Sequence, residues 1–254
     1  MIQINVEQFA QQGFYVAKQW LTSKTLKELK VEVQRQIKLN SSPLELESDV
    51  GYPGSPINHQ VDGGQTTRRL LQAFDRGFIF QKIATAPAMR LTMQQLLNCK
   101  QVMLSRCHHN CIMTKSPQYS SHTGWHQDYR YWQFTNDNLV SAWVALGDEH
   151  AENGGMSLIP SSQKQDFASD DFDQQQFFKA NQAHHSLIKK AVSIQLQAGD
   201  VLFFHANTLH CAGRNLTQDT KLALVFTYHA QHNQPVAHSR SARLSSISLN
   251  LAGK

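Results

Sequence analysis

Two hydrophobic rhythms divide the chain. In the stretch from Thr25 to Ile37, apolar residues (Leu26, Leu29, Val33, Ile37) recur every three to four positions, the spacing of one helix face, and Ser23 ahead of them is predicted as the cap. The stretch from Ser41 to Gly64, rich in Gly, Pro and Ser, reads as a loop. The helical rhythm returns from Phe78 to Leu97, with an interruption predicted near Pro87, whose ring cannot continue a helix. From about Gln101 the rhythm shortens to strand-length apolar segments set apart by turn residues. Strands are predicted at Gln101–Cys107, Cys111–Thr114, Gly124–Tyr129, Leu139–Leu146, Met156–Ile159, Val192–Leu196, Val201–His205 and Leu222–His229. Strands this short and this closely spaced predict a double-sheet jelly roll rather than alternating βαβ units. A single domain is expected over 1–254: mostly helical support at 1–100, the jelly-roll core at 101–230 and a C-terminal tail at 231–254. Within the core, 166–186 begins acidic and then carries Phe172, Phe177 and Phe178, and it is predicted as a helix-like lid.

Composition narrows the class. With 41% apolar and 17% charged residues, 254 residues suffice to bury a real core. No apolar run reaches membrane-spanning length, and the first residues lack a basic region followed by an apolar one, so a soluble cytoplasmic protein is the expectation. The net charge of +5 is scattered beyond Lys189-Lys190 and the tail residues Arg240 and Arg243. That distribution argues against a nucleic-acid partner and leaves room for an anionic substrate, such as a carboxylate or a coenzyme A thioester. Oligomeric state is not legible here. The four cysteines do not form a disulfide framework. Cys107-His108-His109-Asn110-Cys111 has no second ligand pair downstream, so buried thiols in a strand are expected there rather than zinc.

The candidate chemistry lies in Trp125-His126-Gln127-Asp128. On a strand, residues two apart share a face, so His126 and Asp128 would grip one ion together, and the distant His210 would complete two imidazoles and one carboxylate. That set leaves the opposite face of a metal open, as in non-haem Fe(II) oxygenases. The pair alone is a weak signal, and His150-Ala151-Glu152 repeats the spacing. Its placement in a loop between Gly147-Asp148 and Asn153-Gly154-Gly155 favours His126.

Four segments together resemble the phytanoyl-CoA dioxygenase family. They are Trp125 to Asp128; Ser141 to Leu146 with Glu152 to Lys164; Gly199 to His205 leading to His210; and Phe9 to Leu29 around Gly13-Phe14. The resemblance implies a double-stranded β-helix of cupin-like form that uses Fe(II), 2-oxoglutarate and O2 to hydroxylate a small-molecule substrate. It implies His126, Asp128 and His210 as iron ligands. An aspartate at that position implies hydroxylation, since related halogenases carry a small residue there. The family usually has an arginine eleven residues after the last histidine to bind the distal carboxylate of 2-oxoglutarate, and here that position is Lys221. An ammonium still pairs with a carboxylate, though without the guanidinium fork. Lys221 is therefore the expected anchor, with Arg214 as the alternative and a strand-end surface lysine as the bland reading. Trp143 and Cys111 fall near family positions that contact the co-substrate, with core packing as the other reading of Trp143. Ala212 replaces a frequent serine. Tyr129, Arg130, Tyr131, Trp132 and Phe134 are expected either to line the substrate pocket or to pack the sheet. Two other readings stay open: a non-catalytic jelly-roll binding protein, and a metal-binding cupin that needs no 2-oxoglutarate.

Overall fold

The structure, a computed structural model, describes residues 4–251. Helix α1 (Val6–Gln12) is capped by the Asn5 side chain and ends at Gly13, whose φ of 84° turns the chain into strand β1 (Phe14–Ala17). Helix α2 (Ser23–Leu39) starts two residues before the expected span, because its cap is Thr22, whose hydroxyl accepts the Thr25 N–H at 3.2 Å, rather than Ser23. It buries Leu29, Val33 and Gln36, one face at i, i+4 and i+7. The expected loop contains β2 (Leu44–Leu46), which pairs with β3 (Thr67–Leu71). The predicted break at Pro87 is found: α3 (Phe78–Ala84) ends before it and α4 (Pro87–Leu96) begins on it. The N-terminal third is thus less purely helical than its rhythm predicts, since β1, β2 and β3 join the main sheet. They are too short to impose a visible alternation.

The remaining strands are β4 (Val102–Leu104), β5 (Cys111–Lys115), β6 (Thr123–His126), β7 (Leu139–Ala145), β8 (Met156–Leu158), β9 (Val192–Ser193), β10 (Val201–His205), β11 (His210–Ala212), β12 (Lys221–Ala230) and β13 (Ile247–Ser248). One sheet runs β1-β10-β7-β12-β5-β3-β2, with β4 and β13 attached beside β12; the other runs β6-β11-β8-β9. Every pairing is antiparallel. This is the double-sheet jelly roll that the strand spacing predicted. The 166–186 segment forms short turns rather than one helix, around an aromatic cluster of Phe167, Phe172 and Phe178.

Period-two alternation sorts the large sheet's side chains between two cores. Val140, Ala142 and Val144 of β7, Val201 and Phe203 of β10, and Leu224, Phe226 and Tyr228 of β12 pack against α2, α3 and α4. The alternate positions Trp143, Ala145, Leu202, Phe204, Ala223 and Val225 face the small sheet's Met156 and Leu158. Both faces are buried, which explains why β7, β10 and β12 read as nearly continuous apolar runs rather than alternating ones. A fully buried Phe or Leu contributes roughly 1.5–3 kcal/mol over an exposed one, so each apolar side chain buried in these strands adds appreciably to stability. Lys221 and Lys115 sit directly opposite each other in register, Lys221 on the inward parity of Ala223 and Lys115 on that of Cys111 and Met113.

Candidate metal centre and active site

His126 closes β6 and His210 opens β11, and the two are register partners in the small sheet. The short strand β11 is absent from the sequence reading, which placed His210 just past β10. Asp128 lies just past the strand end that carries His126, beyond the strand itself but within the stretch Gly124–Tyr129 that the pattern marked. After the extended Gln127 the chain turns, and Asp128 begins a short 3-10 turn to Tyr131. That turn is tied down by Tyr129 N–H donating to Ala206 O at 3.1 Å and by Gln127 Nε2 donating to Asn207 O at 2.7 Å. Strand end plus turn therefore does what the alternation argument assigned to a strand alone.

The two imidazoles are oriented by one shared device. His126 Nδ1 lies 2.9 Å from Gly124 O, and His210 Nδ1 lies 2.9 Å from Thr208 O, each the carbonyl two residues earlier. A carbonyl only accepts, so each Nδ1 carries the proton and each Nε2 presents a lone pair. Both Nε2 atoms point at Asp128 Oδ1, at 3.8 Å and 3.9 Å. Ligand atoms of the three residues lie within 4.8 Å of one another, the one such group of metal-ligating side chains among the described residues. Burial pushes the Asp128 carboxyl up to about 8 and the His210 imidazole down to about 4, while burial and the neighbouring His210 hold His126 well below its ordinary value. Asp128 Oδ2 is buried without a hydrogen-bond partner. Three buried acceptors facing one point, with no donor between them, fit a divalent cation.

A cavity of about 640 Å³ opens over this group. Its inner wall contains Lys221, Trp143 and Cys111, so all three co-substrate candidates line one space with His126, Asp128 and His210. Lys221 is only 7% exposed, which removes the surface reading. It is not free, however: Nζ donates to Glu149 Oε2 at 2.9 Å and lies 4.9 Å from the Trp143 ring centroid. Trp143 Nε1 donates to the other Glu149 oxygen at 2.8 Å. Arg214 is turned elsewhere, donating to the Ser120 and Gln118 carbonyls. Cys111 remains a thiol, because burial pushes it up to about 12. Lys115, also on the wall, donates to Ser121 O at 2.7 Å and Gly213 O at 2.6 Å.

The sequence reading missed several wall residues. Arg68 and Arg69 both bind Glu45, at 2.6 Å and 2.7 Å, and the adjacent arginines ahead of Leu70-Leu71 were the available signal. Glu149, which lies behind the wall on Trp143 and Lys221, carried no signal beyond a place near the end of β7. His109 lies 3.4 Å from Asp128 Oδ2. The tail is not peripheral: β13 pairs with β4, and Arg240, Arg243 and Leu244 line the mouth. Of the aromatics after Asp128, Tyr131 and Trp132 line the cavity, whereas Tyr129 and Phe134 belong to the packing against Leu139 and Ala206. The 166–186 segment, expected as a lid, contributes no lining residue to the cavity. It packs beside β6, with Phe178 N–H on Trp125 O at 2.6 Å and the Phe177 ring 6.1 Å from that of His126. Cys107 and Cys111 do not converge: Cys107 Sγ accepts from Leu244 N–H, and Cys111 Sγ meets Met113 Sδ.

Known proteins place this arrangement. The chain is 28% identical over 125 residues to peroxisomal phytanoyl-CoA dioxygenase of Mus musculus, covering 46% of this chain and 37% of that protein. It is 28% identical over 130 residues to ectoine dioxygenase of Halomonas elongata, covering 44% and 39%. The matched segments thus span under half of either relative. Among solved structures, the epimerase SnoN in complex with Fe3+, alpha ketoglutarate and nogalamycin RO superimposes with a TM-score of 0.71 at 20% identity, covering 91% of this chain and 84% of that one. EctD from S. alaskensis with 2-oxoglutarate and 5-hydroxyectoine gives 0.71 at 15% identity, covering 91% and 76%. These likenesses support the same jelly roll. The sequence model of phytanoyl-CoA dioxygenase (PhyH) matches residues 9–223, a span holding every strand from β1 to β11 and all three converging side chains. This chain belongs to the phytanoyl-CoA dioxygenase family.

Proposed function

We propose that this protein is an Fe(II)- and 2-oxoglutarate-dependent dioxygenase that hydroxylates a small organic substrate while 2-oxoglutarate is decarboxylated to succinate. The observation that carries this is the convergence of His126 Nε2, His210 Nε2 and Asp128 Oδ1 on one buried point, with both Nδ1 atoms committed to carbonyls. Iron held there would bind 2-oxoglutarate and O2 and supply the oxidising chemistry. The chain's own contributions are separate. The two carbonyls fix the imidazole tautomers, the buried wall excludes water, and Lys221 offers its ammonium to the distal carboxylate, steadied by Glu149 and Trp143. Arg240 and Arg243 at the mouth favour a substrate bearing an anionic group. No helix of the described residues is long and apolar enough to cross a membrane.

One observation favours a second reading, a metal-binding jelly-roll protein that does not use 2-oxoglutarate. Lys221 already holds a carboxylate, that of Glu149. Anaerobic calorimetry with Mn(II), followed by 2-oxoglutarate, separates the two. The dioxygenase reading expects stoichiometric metal binding, then 2-oxoglutarate binding, and succinate release with Fe(II) and O2. Metal binding with no response to 2-oxoglutarate would establish the second reading. In His126→Ala and Asp128→Ala, stoichiometric metal binding is expected to vanish while the far-ultraviolet spectrum stays native; in His150→Ala it is expected to persist.

A further inference from the structure

His109 stands in the turn between β4 and β5 with φ at 40°, in the left-handed region. Three contacts hold it there. Its Nδ1 lies 3.1 Å from Ser141 Oγ, which is itself 2.8 Å from Thr227 Oγ1, so β7 and β12 together supply the hydroxyl. Its ring meets the Trp132 ring edge-on, centroids 5.2 Å apart and planes at 85°. Its Nδ1 also lies 3.4 Å from Asp128 Oδ2, the carboxylate oxygen left buried without a hydrogen-bond partner.

The two oxygens of Asp128 are therefore differently employed. Oδ1 faces both imidazole Nε2 atoms, and Oδ2 faces His109. A carboxylate can only accept, and Ser141 Oγ retains Thr227 as a partner, so a His109 Nδ1–H, already within 3.4 Å of Oδ2, needs only a change of direction to reach it. We propose that His109 is a positioning residue for the metal: its Nδ1–H holds Asp128 Oδ2, so that Oδ1 alone completes the donor set with His126 and His210. The left-handed turn between β4 and β5 carries the ring to this position. The inference rests on the metal reading above, and it extends that reading by naming the residue that sets the carboxylate's orientation.

The test compares His109→Gly, His109→Ala and His109→Asn with the wild type by Co(II) calorimetry, the visible spectrum of bound Co(II), and thermal unfolding without metal. Glycine suits the left-handed backbone but lacks the donor, and alanine lacks the donor while keeping the Cβ. Asparagine tolerates the same backbone and places an amide N–H where Nδ1 stood. We expect Co(II) affinity to fall ten- to a hundredfold in the Gly and Ala variants, the range for losing an outer hydrogen bond to a metal ligand, with an altered Co(II) spectrum. We expect His109→Asn to stay within about threefold of wild type on the same reasoning. Gly and Ala variants that match the wild type in affinity and spectrum would overturn the inference while leaving the metal site standing, as would an Asn variant as weak as Gly. Should the Gly variant fail to fold, the Ala and Asn pair carries the same comparison. No Co(II) binding by the wild type would overturn the metal reading and this inference with it.

Discussion

Lys221 reaches the cavity already bound to Glu149, and that pairing changes what a substitution there will do. Both side chains are almost fully buried, at 4% and 1% exposure, so truncating one leaves the other charged and unpartnered. Lys221→Met should lower folding stability by roughly 3–5 kcal/mol and also abolish 2-oxoglutarate binding. The double variant Lys221→Met/Glu149→Met should recover most of the stability, since a buried pair replaced by apolar groups is often near neutral, but none of the 2-oxoglutarate binding. Urea unfolding and calorimetry on the three proteins check this; co-substrate binding that survives in the double variant would remove Lys221 as the anchor. The opposed residue Lys115 carries a pH signature. Burial and the neighbouring Lys221 bring its ammonium down from 10.5 to about 7. The folded state therefore gives up this proton near pH 7, while the unfolded state keeps it to about 10.5. Across that window the unfolded state binds more protons, so stability rises with pH. Lys115→Met removes the contribution, and the stability of wild type minus variant should climb from pH 7 to pH 10. A flat difference would mean that Lys115 titrates as an exposed lysine.

At the scale of elements, the site depends on how β10 hands the chain to β11. Between them, Thr208 presents its carbonyl to His210 Nδ1 at 2.9 Å and donates its hydroxyl to Gly13 O at 2.8 Å. Gly13 O also accepts the His205 N–H at 2.8 Å, so the end of α1 clamps both ends of this turn. Gly13 has a φ of 84°, and a Cβ there would lie 2.5 Å from Thr208 Oγ1, closer than real atoms approach. Gly13→Ala should therefore cost about 1–3 kcal/mol through strain and overpacking. It should also weaken metal binding, because the displaced Thr208 is the residue that orients His210. Thermal unfolding and Mn(II) calorimetry measure the two effects; a destabilised variant with wild-type metal affinity would show that the turn and the centre are uncoupled. The resemblance marked Gly13-Phe14 as part of a motif, but its partners lie far along the chain, at Gln163 and Thr208.

For the whole molecule, the proposed ligands all belong to the small sheet and the turn that follows it, so metal should pin that sheet without touching the helical layer. A ligand that binds only the folded state stabilises by mass action, about 2.7 kcal/mol at a hundredfold excess over its dissociation constant. In a chain of this length each kcal/mol moves the midpoint by roughly 2–4 °C, so saturating Mn(II) should raise it by roughly 5–11 °C. Asp128→Ala should show no such rise, and an equal shift in that variant would place the metal elsewhere. The strands that pack on both faces, β7, β10 and β12, were legible because dense apolar runs mark them whatever they meet; β10 falls on its expected span, Val201–His205. His126, Asp128 and His210 were legible because ligand chemistry restricts residue type and spacing. The strands β1, β2, β3, β11 and β13 escaped notice, being two to five residues long and held by pairing rather than by a pattern of their own. Glu149, His109, Arg69 and the tail residue Ser241, whose hydroxyl meets His108 Nε2 at 2.7 Å across 133 residues, escaped for a related reason. Hydrophobic periodicity reports which face of an element is buried, so the sequence by itself determined the long buried strands, the candidate ligand set and the inward parity of Lys221. Which buried polar group lies against which is settled only when the faces meet, so the tertiary structure alone decided that Lys221 holds Glu149 and that His109 stands behind Asp128.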